Sequence, residues 1–95
     1  MAMSSANFTN ALNTLSKQSF DDTKLSTAKQ IASSNCLTVK QIGQLASLIT
    51  FEDTKLEFAK FAYDRCTDPA NYFSLNNIFS FSSSVESLNQ FIGER

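Results

Sequence analysis

Three close pairs of carboxylates, Asp21/Asp22, Glu52/Asp53 and Asp64/Asp68, and two thiols, Cys36 and Cys66, are the side chains of this 95-residue chain whose types and spacing could do chemistry. Paired carboxylates can share general acid and base work or hold a cation, and a thiol can act as a nucleophile once a neighbour takes its proton. The usual neighbour is missing. The chain contains no histidine, the commonest general base, metal ligand and activator of a nucleophile. Gly43 and Gly93 are isolated, so there is no phosphate-cradling loop, and no run of alternating acids surrounds a central glycine as a calcium loop requires. Each carboxylate pair falls at a predicted helix end, where capping and the helix macrodipole account for it. The expectation is a protein that is not an enzyme, with no cofactor and no metal site.

Cys36 and Cys66 occupy matching places at the ends of corresponding predicted helices. A disulfide needs Cα atoms within about 7 Å, whereas neighbouring helices lie about 8–10 Å apart. Two small buried thiols are expected, with a bridge favoured only if the protein is exported.

The elements that must position these groups are announced by a repeat. Phe20-Asp21-Asp22-Thr23-Lys24-Leu25-Ser26-Thr27-Ala28-Lys29 returns as Phe51-Glu52-Asp53-Thr54-Lys55-Leu56-Glu57-Phe58-Ala59-Lys60, with seven of ten positions identical. Such self-similarity implies a supersecondary unit that buries its apolar face against a copy of itself. In the first copy Asp22 can cap a helix carrying Leu25, Ala28, Ala32 and Cys36. Thr38 and Gln41 then form a capping box ahead of Val39, Ile42, Leu45, Ala46 and Ile49. In the second copy Asp53 can cap a helix carrying Leu56, Ala59, Tyr63 and Cys66, and Asp68-Pro69 opens one carrying Tyr72, Leu75, Ile78 and Phe79. Flanking half-units are a helix capped by Ser5, with Phe8, Leu12 and Leu15, and one opened by Ser83 and Glu86, with Val85, Leu88 and Ile92.

The predicted fold is all-α: about six short helices near 5–18, 22–35, 38–49, 53–66, 69–80 and 84–92, forming stacked helical hairpins in one compact domain over residues 5–95. Residues 1–4 are expected to be a disordered tail. The recurring Phe20, Phe51 and Phe81 are predicted to staple each helix start by folding back on its first turn, and the following acids, Asp21 and Glu52, to pair with Lys24 and Lys55.

Eight basic and nine acidic side chains give a net charge near zero, which supplies no footprint for nucleic acid. The apolar runs are far shorter than the roughly 20 residues a membrane-spanning helix needs, so no membrane insertion is expected. The start, Met1-Ala2-Met3-Ser4-Ser5, has neither the charged nor the apolar region of a signal peptide, and the compartment is left open.

The Phe-x-Asp-x-Lys-Leu-x-x-Ala-Lys block at 20–29 and 51–60, with Cys36-Leu37-Thr38 between the copies and Asn71-Tyr72 after them, resembles the family called domain of unknown function 4476. The resemblance runs from about Phe8 to Ile92. It implies a small all-helical domain, found often in bacterial proteins with export signals. It implies no activity, catalytic residue or ligand.

One departure between the copies points to a surface. Phe58 and Phe61 project from the side of their helix opposite its main stripe, where the first copy has Thr27 and Gln30. Either that helix is central and buried on both sides, or it presents an aromatic patch. On the second reading the partner-binding residues are Phe58, Phe61 and Phe73, bordered by Lys24, Lys29, Lys55 and Lys60. The function expected is a non-catalytic interaction or scaffold module with a protein or peptide partner. The alternative is a ligand-binding or enzymatic helical domain with a Phe-lined pocket, although polar groups to fix a small molecule are not evident.

Overall fold

Helix starts along the chain follow two kinds of junction. At Ser4 and Thr38 a hydroxyl caps the helix, and at Phe20, Phe51 and Phe81 the N-cap side chain makes no hydrogen bond at all. The computed structural model describes residues 3–95. Among them the chain is all-α, with α1 (Ser5–Ser16), α2 (Asp21–Ser34), α3 (Val39–Ala46), α4 (Glu52–Ala62), a 3₁₀ helix (Pro69–Ile78) and α5 (Ser82–Gly93). A 3₁₀ turn, Tyr63–Arg65, extends α4.

The helices lie in two layers. In one, α4 packs between α2 and α5; in the other, α3 packs between α1 and the 3₁₀ helix, and α3 also touches α4. The overall extents of 32 × 29 × 18 Å fit this, since two packed helices are about 18–20 Å through. Helices α2, α4 and α5 run parallel, because both ends of each neighbouring pair are tied. At the starting ends, the Asp21 carboxylate accepts from the amides of Thr50 (3.0 Å) and Phe51 (2.7 Å). Glu52 does the same with Ser80 (2.9 Å) and Phe81 (3.0 Å). At the finishing ends of α2 and α4, Leu37 and Cys66 form a parallel bridge, with the Leu37 amide donating to Arg65 O and the Thr67 amide to Leu37 O. Arg95 after α5 pairs with Asp64 after α4.

The core follows the predicted stripes. Leu15, Ala28, Ala32, Ile42, Leu45, Ile49, Ala59, Leu75 and Leu88 are buried, and Leu37, Phe58 and Ala62 join them. Small alanines facing one another let α2 and α4 approach closely. Tyr72 is buried, donates its hydroxyl to Ala59 O (2.6 Å), and meets Tyr63 edge to face.

Several local expectations are corrected. Helices α2, α4 and α5 begin one or two residues earlier than predicted, so Asp22, Asp53 and Ser83 are not N-caps. α1 is capped by Ser4 and not Ser5: the Ser4 hydroxyl accepts from the Asn7 amide. Of the tail expected at 1–4, Met1 and Ala2 lie outside the described residues. Met3 is held by its amide on Cys36 O (3.0 Å) and its carbonyl under the Gln41 amide group (3.1 Å). Residues 69–78 are 3₁₀ and not α-helical: a proline start followed by three asparagines and a serine weakens the α-form. Asp68 caps its neighbour instead, accepting from the Val39 amide at the start of α3 (2.8 Å). The Thr38–Gln41 capping box is present in full.

Candidate functional site

Phe58 is fully buried, so it cannot belong to a partner-binding surface of the folded chain. The physical reason is its helix: α4 has α2 on one side and α5 on the other, and an all-round apolar helix suits that place. The first copy can hold Thr27 and Gln30 at the matching positions because there α2 borders an open cleft against α1, and Thr27 accepts from the Gln18 side chain (2.8 Å).

Three of the other candidates are brought together. Lys29, Lys60 and Phe61 line a groove of about 370 Å³ across the finishing halves of α2, α4 and α5. The Lys29 ammonium pairs with Glu57 at 2.7 Å and stands 5.4 Å from the centre of the Phe61 ring. Lys60 stands 5.9 Å from the centre of Phe91, and the Arg95 guanidinium 4.7 Å from it. Arg65 closes the row, donating one nitrogen to Ser33 O (3.1 Å). Cations near the last turns of helices are favoured by the macrodipole, and cations over ring faces by the ring quadrupole.

Lys24, Lys55 and Phe73 do not line this groove. Lys24 donates to Leu48 O (2.8 Å), pinning the α3–α4 turn instead of pairing with Asp21. Phe73 is exposed on the 3₁₀ helix, off the face that carries Tyr72, Leu75 and Ile78.

The surface that sequence reasoning missed lies at the opposite ends of the same helices. Phe20, Phe51 and Phe81 are 73%, 67% and 61% exposed, so they are not staples. Each is the N-cap residue itself, one position too late in the turn to fold back. The carboxylate clasps tie the three starts side by side, which places Phe20, Phe51 and Phe81 at neighbouring helix starts. Exposed Phe side chains at three neighbouring helix starts are an apolar feature that solvation alone does not favour. The signal was present: a Phe recurring at the junction ahead of three helices, followed by an acid at the first two.

The carboxylate pairs are absorbed by these ties. Desolvation raises Asp21, but the Thr50 and Phe51 amides and the charge of Lys24 outweigh it and hold the carboxyl below its ordinary value. Glu52 behaves alike, with desolvation outweighed by the Phe81 and Ser80 amides and Lys55. The Val39 amide is the main cause that lowers Asp68. Neither thiol is bridged. Cys36 is exposed and not buried as expected, because α2 stops at Ser34 and the chain turns extended at Asn35. Cys66 is half-buried and donates to Asp68 (3.4 Å); desolvation and then that carboxylate push its thiol up to about 11. Among the described residues no cluster of thiols and carboxylates is arranged to hold a metal, and no helix is long and apolar enough to cross a membrane.

Residues 2–92 match the family described as domain of unknown function, DUF4476, and the chain belongs to that family. No curated protein and no solved structure matches it.

Proposed function

We propose that this member of the family is a non-catalytic interaction module, in which two hairpins of repeated sequence and their flanking half-units hold an aromatic edge toward a protein partner. The observation that carries the reading is the row of Phe20, Phe51 and Phe81, exposed at three helix starts that are tied side by side. Phe is a poor N-cap, and Ser, Thr, Asp or Asn would stabilise each start by about 0.5–2 kcal/mol. Three uncapped, solvent-facing aromatics therefore cost stability, and aromatic side chains supply much of the energy where proteins bind one another. The use of the same clasp at both junctions supports reading the sequence repeat as a structural one.

The test is the variant F20S/F51S/F81S. A partner captured by the parent from the source cell, identified and purified, is expected to bind the parent at high salt and to lose the variant, with the variant's fold intact by circular dichroism. Equal binding of parent and variant overturns the reading.

A further inference from the structure

The groove at the finishing ends of α2, α4 and α5 lies at the other end of these helices from the aromatic row, and its charge is distinct. Four of the chain's eight cations line it, against two of its nine carboxylates. Those two carboxylates are spent on Lys29 and Arg95. Lys60 and Arg65 form no ion pair among the described residues, and the Phe61 and Phe91 rings share the groove's lining with them. The chain as a whole is slightly acidic, and at the far ends of α2 and α4 the acids Asp21, Asp22, Glu52 and Asp53 outnumber the cations Lys24 and Lys55. Charge is thus separated along the layer, with a local excess of about two positive charges over an aromatic floor.

We infer that this groove takes an acidic peptide segment of a partner protein, with carboxylates set against Lys60 and Arg65 and an apolar side chain beside Phe61 and Phe91. The match is one of charge and shape. A guanidinium with free nitrogens binds a carboxylate through a fork, and an ammonium serves as a point charge beside it. A space of about 370 Å³ admits a few side chains and not a folded domain. Two uncompensated cations are too few to follow a nucleic-acid backbone, whose binding draws on many phosphate contacts.

The experiment is selection from a library of random synthetic peptides displayed against the whole chain, followed by titration of the selected peptides. Enrichment of Asp or Glu next to an apolar residue is expected, with affinity falling as salt rises. Binding should drop on the order of tenfold for each charge reversed in K60E and R65E. The milder K60Q and R65Q should give smaller losses, and urea midpoints near the parent's should show that the fold is kept. F20S/F51S/F81S should leave this binding unchanged, so this inference and the proposed function fail separately. Selected peptides with no acidic bias, binding indifferent to K60E and R65E, or no enrichment at all would each overturn it. So would self-association of the chain that K60E and R65E abolish, because the groove would then be an interface between copies.

Discussion

Helix α4 and its N-cap offer a direct comparison, since Phe51 and Phe58 are the same residue type seven positions apart, one two-thirds exposed and the other buried. Replacing Phe58 with Thr, the residue of the first copy, removes an aromatic side chain that withdraws roughly 200 Å² from water. At about 25 cal/mol per Å² that is up to ~5 kcal/mol, an upper bound because the unfolded chain already hides part of it. A hydroxyl among apolar neighbours adds its own penalty, so a loss of about 3–5 kcal/mol is expected. For F51S the withdrawn area is a third as large, about 1.5 kcal/mol, and a serine N-cap returns about 1 kcal/mol. The net change should stay within about 1 kcal/mol. Urea unfolding followed by circular dichroism reads both. With a slope of about 1 kcal/mol per molar for a chain this small, the midpoint should fall by about 3–5 M for F58T and by less than about 1 M for F51S. If F58T does not fold, F58L should still show a loss of about 1–2 kcal/mol. A loss above about 2 kcal/mol for F51S would mean that Phe51 staples the helix after all, and a loss below about 1 kcal/mol for F58T would refute the packing of α4 between α2 and α5.

Two further outcomes follow from the ties. Asp21, Glu52 and Asp68 titrate below their ordinary values in the folded chain, so their contribution is present above the unfolded carboxyl range, about pH 4, and is lost as pH falls through the lowered folded values. The double variant D21N/E52Q should therefore be less stable than the parent at pH 7, with the gap closing in acid; parallel pH profiles of urea midpoint for the two would refute the clasps. At pH 8 an aromatic disulfide reagent should label one thiol quickly, Cys36, and Cys66 slowly, and C36S should remove the fast phase; a fast phase that survives C36S would contradict the raised Cys66 thiol.

Much of the fold was legible because local signals agreed with the packing. The alanine stripes Ala28/Ala32 and Ala59, the Thr38–Gln41 box and the absence of strand signals lead to six helices without any knowledge of contacts. The 3₁₀ form of residues 69–78 was not read from the sequence, because apolar residues three apart, Tyr72, Leu75 and Ile78, share a face of either helix type. What sequence could not give depended on distance or on a single residue of register. The acceptors of the Thr50, Phe51, Ser80 and Phe81 amides are carboxylates some thirty residues away, and capping rules look only three ahead. Helices that begin one residue early turn a staple into an exposed N-cap, and thereby move the candidate surface from Phe58 to Phe20, Phe51 and Phe81.

The Phe-acid pair that recurs at the helix starts divides its labour. The acid faces inward along the chain: Asp21 and Glu52 each hold two amides of the next start, and their lowered carboxyls record it. The Phe holds nothing within the chain, since its side chain neither caps nor packs deeply. At the third start the two come apart. Ser82 stands where Asp21 and Glu52 stood and brings no carboxylate, yet Phe81 is kept and is as open to solvent as the others. Local energetics favour a hydroxyl or an acid at all three positions, and this is why the proposed partner is assigned to the exposed Phe20, Phe51 and Phe81.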